Sequence, residues 1–134
     1  SLPLAGRFGK VVAVESSPAA SRYCAANAAA AELLNIQTVC SDASSWMKDE
    51  ASSLTGKPDL IVLDPPRSGA GEDTMEHVNR QAPATIIYVS CDPQTLCRDL
   101  ACIAPRDYRI DFIEAMDMFP QTYHFETVVR LVRN

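Results

Sequence analysis

Long apolar runs are missing from this sequence. Nothing approaches the about 18 consecutive apolar residues of a membrane helix, so no span is expected. The opening residues, SLPLAGRFGKVV, lack a basic segment followed by an apolar one. They do not read as a secretion signal and are expected to lie inside a folded unit. No CxxC pair occurs, and the five cysteines (Cys24, Cys40, Cys91, Cys97 and Cys102) are an odd number. This argues against a zinc knuckle or a disulfide framework, and no metal site is expected. A reducing, cytoplasmic compartment follows from the same observations. Basic residues are in the minority, 12 against 17 acids, for a net charge of -5. A domain that grips RNA alone is usually basic, so autonomous tight RNA binding is disfavoured. RNA chemistry is not excluded, because another domain can supply phosphate contacts.

Repeats, low-complexity tracts and a dividing linker are also lacking. What remains is 134 residues, 47% hydrophobic and 22% charged, the balance of one ordinary globular domain. Short β-branched runs alternate with longer helical stretches. Lys10 to Val14 reads as a buried strand. Ser16-Ser17-Pro18 then offers a cap and an N-terminal proline for a helix to about Leu34. Its Tyr23, Cys24, Asn27, Ala31 and Leu34 recur at helical spacing. Ile36 to Cys40 is a second strand, and Asp42 to about Leu54 a helix with Trp46 and Met47 on its apolar side. Asp59 to Leu63 is a third strand, stopped by Pro65 and Pro66. Glu72 to Gln81 reads as a helix, Thr85 to Ser90 as a fourth strand, and Pro93 to about Ile103 as a helix. Tyr108 to Met116 and Glu126 to Val132 read as an antiparallel pair, since no helix fits between them. This pattern predicts an α/β fold with a mostly parallel sheet and antiparallel C-terminal strands.

In such sheets ligands sit beyond the carboxyl ends of the strands. Glu15, Asp42, Asp64 and Cys91 occupy four successive strand ends, which suggests one shared site. A carboxylate at Glu15 suits the two hydroxyls of a ribose; it equally suits a helix start. Asp42 is a helix N-cap or a contact near a bound adenine. Asp64-Pro65-Pro66-Arg67 makes a stiff wall with carbonyls turned into the cleft. Segments of this kind recur in methyltransferases of nucleobases. Those acting on exocyclic amines usually carry an aromatic residue after the prolines, and Arg67 departs from that. Cys91 lies between a strand and a helix N-terminus, where backbone amides favour a thiolate. In DMFPQTYHFETV, Glu126 is a candidate general base with His124 as a polar neighbour.

Three segments, DPPRSGAG, YVSCDPQTLCRDL and DMFPQTYHFET, occur in this order and at this spacing. Together they resemble the RNA 5-methyluridine methyltransferases, over essentially the whole chain. The resemblance implies a Rossmann-like methyltransferase fold, S-adenosylmethionine as methyl donor, and tRNA or rRNA as substrate. It assigns Cys91 as nucleophile and Glu126 as general base, with Glu15, Asp42 and Asp64 lining the donor site. Asp92 stands where the family usually has asparagine, and its charge opposes a thiolate at Cys91.

The family's glycine-rich donor loop follows its central strand and comes just before a segment like SLPLA. The chain is therefore expected to be the C-terminal part of a catalytic domain, without the central strand. The strands at Lys10–Val14 and Asp59–Leu63 should then leave a gap or pair directly. The iron–sulfur centre of some members would belong to the part not present here. The fragment alone is expected to bind the donor weakly or not at all, and to be inactive. Two other readings stand beside this one: an amine methyltransferase for adenine or cytosine, which needs no cysteine, and a degenerate domain that only binds RNA or a protein.

Overall fold

The computed structural model describes residues 1–49, 56–104, 106–118, 120–122 and 125–134. They form two compact units, residues 1–50 and 51–134. The elements are α1 (Leu2–Ala5), β1 (Val11–Glu15), α2 (Pro18–Ala30), β2 (Ile36–Cys40), α3 (Ala43–Asp49), β3 (Leu60–Leu63), α4 (Glu72–Gln81), β4 (Thr85–Ser90), α5 (Pro93–Ala101), β5 (Tyr108–Met116) and β6 (Glu126–Arg133).

In the first unit β1 and β2 pair in parallel, from Val11↔Ile36 to Glu15↔Cys40, with α2 as the crossover. The Ser17 hydroxyl caps α2 by accepting the Ala20 N–H at 3.4 Å, with Pro18 in its first turn. The Asn35 side-chain amide donates to the carbonyls of Ala5 (2.7 Å) and Phe8 (2.8 Å). That ties the turn after α1 to the entry of β2. Helix α2 departs from the sequence expectation in two ways. It ends at Ala30, short of Leu34, because Glu32 turns into the left-handed region (φ 54°) and closes the chain back. The residues at helical spacing are also not the buried ones. Tyr23 is 71% and Leu34 99% exposed, whereas Ser21 and Ala28 are buried. In an alanine-rich helix, the face with the smallest side chains can approach a sheet most closely. Helix α3 buries Trp46 as expected; Leu54 lies outside the described residues.

The second unit is a four-stranded sheet in the order β3-β4-β6-β5. The β3–β4 pair is parallel, and β4–β6 and β6–β5 are antiparallel. The antiparallel pairs thus fall at the C-terminus, as the sequence predicted. Strands β1 and β3 belong to different sheets. Along β4, Ile86, Tyr88 and Ser90 are buried and alternate with half-buried residues. Opposite them on β6, Leu131, Val129 and Thr127 are buried too. Met75 and Val78 of α4, and Leu96 and Leu100 of α5, are buried with them. Each large apolar side chain so buried contributes about 1.5–3 kcal/mol. Tyr108 begins β5 fully buried and donates its hydroxyl to the Pro83 carbonyl at 2.9 Å. A register shift between Ile110 and Phe112 leaves Asp111 outside the ladder. Its carboxylate accepts from the Arg130 guanidinium at 2.8 Å. Among the described residues, no helix is long and apolar enough to cross a membrane.

Candidate active site

The predicted site residues fall into two groups, one in each unit. In the first unit, Glu15 ends β1 opposite Cys40, and Asp42 follows β2 by two residues. Both lie at the carboxyl end of the β1–β2 ladder. The Glu15 carboxylate accepts the Ser17 N–H at 2.7 Å, which orients it just ahead of α2. Asp42 is the N-cap of α3 and accepts the Ser45 N–H at 3.0 Å. That backbone hydrogen bond holds its carboxyl below the usual carboxylate range against a weaker desolvation effect, so it is charged at neutral pH. The capping role the sequence allowed is therefore present; capping through Oδ1 does not consume Oδ2.

In the second unit, Asp64, Cys91 and Glu126 come to one end of the sheet. Asp64 follows Leu63, the last paired residue of β3, whose register partner is Tyr88. Cys91 follows Ser90, the last residue of β4. The β4–β6 register ends with Ser90↔Thr127, so Cys91 and Glu126, the first residue of β6, each adjoin that last pair. Cys91 and Glu126 are both half-buried, and Asp64 is exposed. His124 lies outside the described residues. Among the described residues, no group of three or more His, Cys, Asp or Glu is placed to hold a metal ion.

Asp92 caps α5. Its Oδ1 accepts the N–H groups of Gln94 (3.0 Å) and Thr95 (2.9 Å). The Thr95 hydrogen bond is the main reason its carboxyl titrates below the usual range, and the Arg67 charge adds to it. Asp92 is thus an anion beside Cys91, as the sequence implied. Its charge is nevertheless shared with the helix N-terminus and with Arg67, which weakens its opposition to a thiolate.

Sequence reasoning missed the groups that fasten the proline wall. Asp99 is fully buried. Its Oδ2 accepts the Tyr88 hydroxyl at 2.5 Å and the Ala70 N–H at 2.7 Å. Its Oδ1 accepts from Arg98 Nε and Nη2 at 3.0 and 2.8 Å. Burial pushes the Asp99 carboxyl up, but the hydrogen bonds from Tyr88, Arg98 and Ala70 outweigh it and leave it lowered. Burial, then the Asp99 contact, pushes the Tyr88 phenol strongly up. A signal existed: Asp99 lies three residues after Leu96 and four before Ile103, the spacing of an apolar helix face. An acid at that position calls for a buried partner.

Parallel strand pairs with crossover helices, followed by antiparallel C-terminal strands, describe an α/β fold of the methyltransferase type. The chain belongs to the tRNA (uracil-5-)-methyltransferase family, whose model matches residues 1–134. It is 45% identical over 124 residues to an RNA methyltransferase of Thermotoga maritima, covering 92% of this chain and 27% of that protein. It is 37% identical over 128 residues to the 23S rRNA (uracil(1939)-C(5))-methyltransferase RlmD of Shewanella sediminis, covering 96% of this chain and 28% of that one. The crystal structure of Pyrococcus abyssi tRNA (uracil-54, C5)-methyltransferase with S-adenosyl-L-homocysteine superposes with a TM-score of 0.76 at 34% identity. That match covers 96% of this chain and 30% of the other. The chain therefore spans less than a third of the length of these relatives.

Proposed function

We propose that this chain carries the catalytic end of a cytoplasmic enzyme that methylates carbon 5 of a uridine in tRNA or rRNA. The observation that carries the reading is the antiparallel β4–β6 pairing, which ends at Ser90↔Thr127 and so brings the residues next to that pair, Cys91 and Glu126, to the same end of the sheet. Family membership supports it, as does the relative crystallised with S-adenosyl-L-homocysteine.

Carbon 5 of uracil is a poor nucleophile, and the pair addresses that. The Cys91 thiolate adds to carbon 6, forming an S–C bond. The electrons of the 5,6 double bond move toward the carbon 4 carbonyl, leaving an enolate that is nucleophilic at carbon 5. S-adenosylmethionine, when bound, would supply the methyl group to carbon 5, its methyl–sulfur bond breaking to leave S-adenosylhomocysteine. Glu126 then takes the proton from carbon 5; the double bond re-forms and expels the Cys91 thiolate. Asp64 bounds the pocket through the proline wall. The uridine must leave its stack to reach Cys91. The fit of the donor rests on orientation and charge: Glu15 is held by the Ser17 N–H and Asp42 is held ionised by its cap. Each is assigned to donor binding, as is Asp64.

The test uses the full-length protein with RNA containing 5-fluorouridine. Fluorine cannot leave as a proton, so a covalent protein–RNA adduct should accumulate and map to Cys91. Cys91→Ser should abolish both adduct and turnover, whereas Glu126→Gln should accumulate an adduct on ordinary uridine. Turnover by Cys91→Ser would sink the mechanism and favour amine methylation.

A further inference from the structure

The segment after the proline wall is gripped residue by residue. The Arg67 carbonyl accepts the Thr95 hydroxyl at 3.1 Å. The Ser68 carbonyl accepts Arg98 Nη2 at 2.8 Å. Gly69, at φ 82°, leaves no room for a β-carbon, which would lie 2.5 Å from Arg98 Nη2 and 2.6 Å from Asp99 Oδ2. The Ala70 N–H is shared between Asp99 Oδ2 (2.7 Å) and the Tyr88 hydroxyl (3.1 Å). Three of these four consecutive residues are thus hydrogen-bonded to side chains of β4 and α5, and the fourth, Gly69, packs against them.

Those side chains flank Cys91 on both sides along the chain. Tyr88 lies three residues before it on β4, and Thr95, Arg98 and Asp99 follow it on α5. We infer that the buried Tyr88–Asp99 pair is a positioning device for the reaction, holding the Arg67–Ala70 segment that continues the proline wall against the two elements that flank Cys91. The inference rests on the assignment of Cys91 as nucleophile. A buried carboxylate bonded at both oxygens is rigid, since moving it strands charge in a low-dielectric interior. Such rigidity is what a wall needs if a uracil ring is to meet the thiolate at an attack distance, where an error of about 1 Å can cost about 100-fold in rate.

The test uses Tyr88→Phe, which keeps the ring and removes only the hydroxyl, with Asp99→Asn as a second variant, both in the full-length protein. Hydrogen exchange of segment 64–71 should quicken about tenfold while the β4–β6 ladder keeps its protection. Alkylation of Cys91 should change relative to Cys97, an exposed thiol of α5. In turnover, kcat should fall about tenfold or more with KM for RNA within about twofold, because misplacement acts on the reacting geometry. Unchanged exchange in segment 64–71, or loosened exchange with wild-type kcat, overturns the inference. If the wild-type protein methylates no uridine, the functional reading fails. Exchange and the Cys91-to-Cys97 ratio then judge the anchor by themselves, and an unmoved ratio overturns it.

Discussion

Gly69→Ala should be one of the most damaging small substitutions in the second unit. The new methyl group would lie 2.5 Å from Arg98 Nη2, 2.6 Å from Asp99 Oδ2 and 3.2 Å from Thr95 Cβ, on a backbone with φ 82°. The left-handed backbone alone costs a residue with a side chain about 1–2 kcal/mol. Arg98 can swing away, since its side chain is partly exposed, but Asp99 is buried and held at both oxygens. Displacing a charged, hydrogen-bonded group adds about 1.5–3 kcal/mol. The expected loss is therefore about 2.5–5 kcal/mol. With a urea slope of about 2 kcal/mol per molar, the midpoint should fall by about 1–2.5 M. Gly71→Ala is the matched control. Its φ is 83°, but a β-carbon there meets nothing within 4 Å, so it carries the same backbone strain of about 1–2 kcal/mol without the clash. Urea unfolding followed by far-ultraviolet circular dichroism compares the two. A Gly69→Ala midpoint no lower than that of Gly71→Ala would refute the steric reasoning.

Asp92→Asn should leave stability within about 0.5 kcal/mol, because asparagine caps a helix as well as aspartate does. It should speed alkylation of Cys91 about two- to fivefold at neutral pH by removing a neighbouring anion; site-resolved mass spectrometry checks this, and an unchanged or slower rate refutes it. The acid limb of stability should carry the sign of Asp42, Asp92 and Asp99, whose carboxyl pKa values are all lowered in the folded chain. Between its folded and unfolded pKa values each binds more protons when unfolded. The stabilisation is thus full above the unfolded value of about 4 and is lost as pH falls below it. Thermal melts from pH 6 to 3 should show this fall, and a shallower fall in Asp99→Asn; identical slopes would remove Asp99 from the account.

Much of the strand and helix pattern was legible because each element carried its own punctuation. The bounds of β2, α4, β4 and β5 were readable from β-branched runs, prolines and caps. Helix α2 was misread at its end and on its buried face, since an alanine-rich stretch has almost no amphipathic contrast and Glu32 carries no turn signature. The thiol, the acids and the proline wall could be named because strand-end placement is a property of order along the chain. The fastening of that wall could not. Tyr88 and Asp99 stand 11 residues apart on different elements, and Ala70 stands 29 from Asp99. The parallel pairing of β3 with β4 brings Ala70 to Tyr88, and the return of α5 toward β4 brings Asp99 to both.

The antiparallel course of β6 has a chemical consequence that its hydrophobic pattern does not announce. In a parallel sheet every strand presents its carboxyl end to the ligand edge, and each strand's first residue lies at the far side. Here β3 and β4 lead directly into Asp64 and Cys91, but β6 runs the other way. Its first residue, Glu126, therefore arrives at the edge where β4 finishes. Were β6 parallel, Glu126 would lie about 23 Å away, seven steps of about 3.3 Å down the strand. Register matters as much as direction. Ser90↔Thr127 is buried on the helix-covered face, so a slip of one residue would turn Thr127, Val129 and Leu131 outward and expose the core. The hydrophobic alternation of β4 and β6 thus fixes the pairing for reasons of packing alone. The arrival of a thiol and a carboxylate at the same end of that pairing follows from it.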